Sequence, residues 1–321
     1  MDSTISTKLK EYYEARSFFG TTVWIHCFHE AALDIAPVAR ACWQKAQRIQ
    51  DNMNVYAQAE AGNLAWLNSF GHQGVRVQED VFKILKLSLE HMRLTHGAYD
   101  VTIFPLVQLW KAAAKEGRLP SNDLVAGVKA NVGYQQILLQ DPDLVFFLKK
   151  GVMVDLGSPA SGYFCDEVAR IMDAAEIQHF MIDGGGEIFC RGKDKGGIPW
   201  RVGVQDPFDK NKLVTMLELD GKGVSTSGSY EKFSLIEGRQ FAHIIDPASG
   251  YPQEGAASAT VIAATTQIAN ELSTAFCVLG GARSVELAVA LGNVEALVIE
   301  NNNGVITRYQ TACFCGPATE I

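Results

Sequence analysis

Four groups of residues in this 321-residue sequence combine types and spacings that chemistry can use. Asp155 to Asp166 reads DLGSPASGYFCD, Asp183 to Glu187 reads DGGGE, and His243 to Pro252 reads HIIDPASGYP. Each lies at a turn between apolar elements, and polar groups at element ends are where sites are usually assembled. The glycines Gly184, Gly185 and Gly186 leave the backbone without side-chain cover, which suits a phosphate or a flat ring. The same run also serves a tight turn or close packing. The fourth group, Ala269-Asn270-Glu271-Leu272-Ser273-Thr274, opens a helical pattern. Asn270 and Thr274 are four apart and share a face, so their oxygens suit Mg2+ together with a carbonyl and phosphate oxygens. The plainer reading is a polar helix start with Asn270 as its cap. His243 ends an apolar strand, where an imidazole is either structural or, with a pKa near neutrality, a proton acceptor. Asp100, in an otherwise apolar run, either caps the next turn or meets a ligand.

The elements that must position these groups centre on residues 152–191. Val152 and Val154 read as a short strand stopping at Asp155-Leu156-Gly157. From about Gly162 the residues Val168, Ile171, Met172 and Ala175 recur at helical spacing, and Phe180-Met181-Ile182 makes a buried strand running into the glycines. Upstream, residues 1–16 are polar and helix-permissive, an expected exposed leader over 1–17 before one large domain over 18–321. A strand at 23–25 feeds a helix through Ile35, Val38, Ala39, Cys42 and Ile49, and further helices are expected at 81–95, 106–114 and 124–131. The polar loop 117–123 would be the linker if the chain divided. Downstream, strands are expected at 200–205, 216–219 and 223–226, then a hydroxyl-rich turn at Ser225-Thr226-Ser227-Gly228. A reversal at Glu237-Gly238 joins strands at 233–236 and 241–245, followed by a strand at 257–263 and helices at 268–279 and 285–291. Strands at 296–299 and 305–308 close the chain. Mixed sheets with interspersed helices place the fold in the α+β class.

Composition narrows the function classes. Hydrophobic residues make up 47% and charged residues 20%, a globular balance that argues against long disorder. The net charge of −8 speaks against a nucleic-acid partner, because phosphate contacts need clustered lysine and arginine. No apolar run reaches the roughly 18 residues of a membrane span, and the first residues lack the pattern of a secretory signal. The seven cysteines are odd in number and mostly in apolar surroundings, as reduced core residues of a cytoplasmic protein would be. Cys313-Phe314-Cys315 lacks the spacing of a zinc site.

Taken in order, the motifs resemble those of the ApbE family, the FAD:protein FMN transferases, from Phe19 to about Ala290. Phe19-Gly20-Thr21-Thr22 is similar to the family's MGTT, and Gly97-Ala98-Tyr99-Asp100-Val101-Thr102 with Leu106, Val107 and Trp110 to GAFDPTV and PLVxLW. Val132-Gly133-Tyr134-Gln135-Gln136-Ile137 resembles VGYQKI, and residues 155–163 with Asp166 resemble DLGGIAKGYxxD. DGGGE stands where the family has NxGGD, Val224 to Gly228 resembles ISTSG, HIIDPASGYP resembles HHIIDPRTGYP, and Ala269 to Ala275 resembles ADALATA. So many motifs in one order make chance agreement improbable. The chain departs from the pattern at Ser161, where the family has lysine, at Phe19 for methionine, at Gly62-Asn63 for Ser-Glu, and at Asn270 for the metal-binding aspartate.

The resemblance implies an ApbE-like (T-fold-like) architecture in a single large domain. It also implies that FAD is a substrate whose FMN half moves to a Ser or Thr of a partner flavoprotein, with Mg2+ bound and AMP released. It assigns Mg2+ to the carbonyl of Ala160 and the side chains of Asn270 and Thr274, and proton transfer to His243. Cofactor contacts would come from Phe19, Tyr56, Asp100, Ser161, Asp166, Gly184, Gly185, Gly186, Ser227, His243 and Ile244. The acceptor would carry a motif resembling D-G-x-S/T-G/S-A/S-T/S. Two alternatives use the same fold: an FAD pyrophosphatase releasing FMN and AMP, and a non-catalytic FAD-binding protein that has lost metal chemistry through Asn270 and Ser161.

Overall fold

Val23, Ile25 and Cys27 alternate with Trp24, His26 and Phe28, and a strand apolar on both faces must be covered on both. The computed structural model, which describes residues 9–228, 233–302 and 304–314, does this with one large sheet between two layers. The first half of the chain supplies β1 Leu9–Phe18, β2 Thr21–Glu30, α1 Ile35–Met53, α2 Leu64–Phe70, β3 Val75–Arg76, α3 Glu79–Leu94, α4 Phe104–Glu116, α5 Asn122–Lys129, β4 Ile137–Gln140 and β5 Leu144–Phe147. Next come α6 Gly157–Ala174, β6 His179–Asp183, β7 Ile188–Arg191, β8 Trp200–Gln205, β9 Leu213–Leu219 and β10 Lys222–Gly228. The last third holds β11 Phe233–Ile236, β12 Arg239–Ala242, β13 Ala256–Ala263, α7 Thr266–Leu279, α8 Gly281–Leu291, β14 Glu295–Asn302 and β15 Val305–Gln310.

Eight strands form an antiparallel sheet in the order β1-β2-β6-β7-β10-β13-β14-β15, so position across the sheet follows position along the chain. Val23, Ile25, Cys27, Phe180, Ile182, Ala259 and Val261 face the helical layer and share its core with Phe164 of α6 and Phe276 of α7. Each fully buried Val, Ile or Phe among them contributes about 1.5–3 kcal/mol relative to exposure. The opposite face, with Phe28, Met181, Val224, Ile262 and Leu297, is covered by the β8–β9 hairpin through Trp200, Val204, Leu217 and Leu219. A third cluster joins α4 and α5 to β11 and the segment after β12 through Leu106, Trp110, Val125, Ile236 and Ile245. The α+β expectation holds, in one domain, and loop 117–121 merely separates α4 from α5.

Three sequence expectations need correction. Residues 9–17 are not a helix-permissive leader, because β1 pairs with β2 along its whole length, from Leu9 opposite Glu30 to Phe18 opposite Thr21. It reads as polar because it is an edge strand, and exposed Lys10, Glu11 and Arg16 blunt that edge. Residues 1–8 lie outside the described residues. Val152 and Val154 are buried but pair with no strand. The Asn68 side chain takes the partner's place, donating to the Val154 carbonyl at 2.9 Å and accepting its N–H at 2.8 Å. Residues 225–228 are not a turn but the end of β10, zipped to β13, with the hydroxyls of Thr226 and Thr260 2.8 Å apart across the pair. Among the cysteines, Cys27, Cys42, Cys165, Cys190 and Cys277 are buried and free and Cys313 is exposed and free, whereas Cys315 lies outside the described residues. No helix among the described residues is long and apolar enough to cross a membrane.

Candidate active site

α6 begins at Gly157, five residues before its apolar periodicity does, because the small residues of GSPASG fall into its first turns. Pro159 is tolerated there, since an early helical N–H has no intrahelical partner. α6 crosses α7 at Gly162, where an added Cβ would stand 2.9 Å from Gln267 Cα and 3.0 Å from the Thr266 carbonyl oxygen. Asp166, two turns into the helix, accepts the N–H groups of Thr266 at 2.7 Å and Gln267 at 3.0 Å, fixing the start of α7. Burial pushes its carboxyl up to about 6, and those hydrogen bonds act the other way. Asp166 is thus a positioning residue, set back from the cleft that its neighbours line.

That cleft measures about 1160 Å³, beyond the usual range for small-molecule pockets and ample for a dinucleotide. Apart from Asp166, every expected site residue lines it: Phe19, Tyr56, Asp100, Ala160, Ser161, Gly184, Gly185, Gly186, Ser227, His243, Ile244, Asn270 and Thr274. The three glycines do different jobs. A Cβ on Gly184 would lie 2.7 Å from the Ser161 carbonyl oxygen and one on Gly185 2.2 Å from Thr21 Cγ2, so these two serve close packing. Gly186, at φ +113° with open space beside it, is the one that leaves bare backbone towards the cleft. Asp183 fixes the turn by accepting both the Gly185 and Gly186 N–H groups, at 2.6 and 2.7 Å.

α7 presents Asn270 and Thr274 from its interior. Its cap is Thr265, so the reading of Asn270 as a cap does not hold. The Asn270 amide oxygen accepts from Ser158 Oγ at 3.1 Å, and its Nδ2 donates to Glu187 Oε1 at 2.9 Å. Thr274 Oγ1 donates to the Asn270 carbonyl at 3.2 Å and stands 3.3 Å from Ser227 Oγ. Glu271 is turned away and fully buried, with Ser88 and Gln267 on Oε1 and His91 on Oε2. Among the described residues no cluster of three His, Cys, Asp or Glu is placed to hold a metal. The oxygen set of Ala160, Asn270 and Thr274 nonetheless has the hard chemistry that Mg2+ prefers.

Asp100 caps the turn that follows, accepting from the backbone and hydroxyl of Thr102 at 2.8 and 2.5 Å, and it also stands at the cleft. Burial raises its carboxyl to about 6. Phe19 sits at φ +56°, with its N–H given to Gln50 Oε1 at 2.9 Å and its ring 5.6 Å from that of Phe164. His243 follows β12, exposed at the cleft wall, while Ile244 beside it is buried and accepts the Gln253 N–H at 2.9 Å. The Ser161 hydroxyl donates to the Ser158 carbonyl at 3.0 Å and also stands against the Glu187 carboxylate.

Two further lining residues stood outside the expected cofactor and metal contacts, although Glu187 closes one of the four groups. Glu187 was visible as the acid ending the glycine run, and burial pushes its carboxyl up to about 7. Lys111 carried no local signal, standing on α4 amid helix-forming residues. It is the one lysine or arginine lining the cleft among the described residues, and it donates to the Tyr56 hydroxyl at 2.8 Å.

The architecture is that of the ApbE flavin transferases. The ApbE protein of Thermotoga maritima superposes with a TM-score of 0.81 at 27% identity, covering 94% of this chain and 97% of that one. The flavin transferase ApbE of Vibrio cholerae superposes at 0.84 and 24% identity, covering 95% and 98%, a likeness of fold. The ApbE family model matches residues 19–298, and the chain belongs to that family. A Klebsiella pneumoniae relative named FAD:protein FMN transferase is 33% identical over 238 residues, 72% of this chain and 68% of its own length. A Haemophilus influenzae relative of the same name is 33% identical over 246 residues, 74% of this chain and 71% of its own.

Proposed function

We propose that this chain is an FAD:protein FMN transferase, taking FAD as substrate and moving its FMN half to a Ser or Thr of an acceptor flavoprotein. The observation that carries the reading is a single dinucleotide-sized cleft where a bare glycine turn, an oxygen set and His243 meet, in a member of this family. In the reaction the acceptor hydroxyl oxygen bonds to the phosphorus on the FMN side of the pyrophosphate. The bond from that phosphorus to the bridging oxygen breaks, AMP leaves with that oxygen, and FMN stays attached as a phosphoester. His243 accepts the hydroxyl proton, a task for a base with a pKa near neutrality. Its exposed position suits a reaction whose second substrate is a protein arriving from outside.

Phe19, Tyr56 and Ile244 offer apolar surface to the cofactor, while Asp100, Ser161, Ser227 and the Gly186 backbone offer polar contacts. Ala160, Asn270 and Thr274 would hold Mg2+, which when bound offsets the pyrophosphate charge and aligns it for in-line displacement. The reaction belongs in the cytoplasm on this reading, where reduced buried thiols such as Cys165 and Cys277 persist. Recovery of the protein outside the cytoplasm on cell fractionation overturns that placement.

One assay tests the function: FAD and Mg2+ with and without a peptide carrying the acceptor motif. A peptide mass gain of one FMN supports the transferase. FMN release without peptide makes the protein a pyrophosphatase, and binding without turnover a carrier. His243→Ala is expected to abolish transfer while FAD affinity stays within about tenfold, because removing a base acts on the barrier more than on ground-state binding. Equal loss of rate and affinity would make His243 a flavin contact or a structural residue.

A further inference from the structure

The three oxygens assigned to the cation are all neutral: a carbonyl, an amide and a hydroxyl. A hard divalent cation in a protein site ordinarily takes at least one carboxylate, and affinity follows the ligands' charge. Glu271, next to Asn270, cannot supply it, because it is fully buried and Ser88, Gln267 and His91 occupy its oxygens. Asp166 is committed to the start of α7, and Asp155 turns back to accept the Gly157 N–H at 2.8 Å. Asp155 and Asp100 also line the cleft, but among the described residues the carboxylate hydrogen-bonded to an assigned cation ligand is that of Glu187. It lines the cleft, touches Asn270 at 2.9 Å, and forms no ion pair with a lysine or arginine among the described residues. Ser158 holds the other end of the same amide at 3.1 Å, so Asn270 is clamped with its nitrogen on the Glu187 carboxylate.

We propose that Glu187 is the anionic ligand of the divalent cation in this cleft, so that the site's negative charge lies on the glycine turn and Asn270 positions it from α7. This rests on the reading of the cleft as metal-dependent. The chain thus balances a neutral residue on the helix with an acid across from it.

The test is Mn2+ binding to the whole protein without FAD, followed by electron paramagnetic resonance of the free ion. Glu187→Gln keeps the shape and an acceptor for Asn270 but removes the charge, and it is expected to weaken Mn2+ binding by about 10–100-fold. Glu187→Asp keeps the charge and should stay within about tenfold of the wild type. In the Glu187→Gln background, Asn270→Asp should recover at least about tenfold by returning a carboxylate from the helix side. Wild-type affinity in Glu187→Gln, or equal losses in the Gln and Asp variants, overturns the assignment of Glu187 while leaving metal binding intact. A wild type that binds no Mn2+ removes both this inference and the metal-dependent reading beneath it.

Discussion

Asp100 caps a turn while standing in the cleft wall, and its environment has a pH signature. Its carboxyl titrates near 6 in the fold and near 3.9 in an unfolded chain. With the folded value the higher, the stability it contributes is full below about pH 4 and is lost as pH rises through about 6. Asp100→Asn keeps an acceptor for Thr102 without the charge, so its gain over the wild type should be near zero at pH 4. By pH 7 the gain should reach on the order of 2–3 kcal/mol. Urea unfolding of both proteins at the two pH values checks it, and parallel profiles would show that Asp100 is not held protonated by burial. Lys111 supplies a cation to a cleft that has Ser161 where the family has lysine. Lys111→Met should weaken FAD binding by about tenfold, the scale of a charge-assisted hydrogen bond, measured by flavin fluorescence quenching. Residues with a motif around them, such as His243 and Thr274, were legible in the sequence. Lys111 was not, because α4 brings it to the cleft through packing that no local pattern encodes.

At the scale of elements, the site depends on how closely α6 and α7 approach. The Gly162 contact is with backbone, which cannot rotate away, so Gly162→Ala must push the helices apart and should cost about 1–3 kcal/mol. Because the shift also moves Asn270 and Thr274 away from Ala160, Mn2+ affinity should fall with stability. A stable variant with unchanged metal affinity would mean that the crossing does not set the site. Long amphipathic helices could be read from periodicity, and the strands β2 and β6 from short apolar runs. β1 could not, because an edge strand carries charge to avoid pairing with other chains and so mimics a solvated tail. The run at Val154 failed for the opposite reason: its apolar residues promised a strand, but a distant Asn68 satisfies its backbone.

At the scale of the molecule, the cleft collects residues from Phe19 to Thr274, so ligand binding spans most of the fold. FAD at 100 times its dissociation constant should therefore raise stability by about 2.7 kcal/mol in one cooperative transition. A melt with two steps, only one of them moved by FAD, would show that the cleft belongs to a part that unfolds by itself. The order of the large sheet bears on how the chain is made. No strand has to be inserted between two that are already paired, so the sheet can be laid down from one side as the polypeptide leaves the ribosome. The longest pause falls between β2 and β6, whose sequences are separated by everything from Ala31 to Gln178. At roughly 5–20 residues per second that interval is on the order of ten seconds. Throughout it the hairpin of β1 and β2 waits with one open edge carrying Trp24, Ile25 and Phe28, which makes this moment of synthesis the one at which a nascent chain has most need of a chaperone.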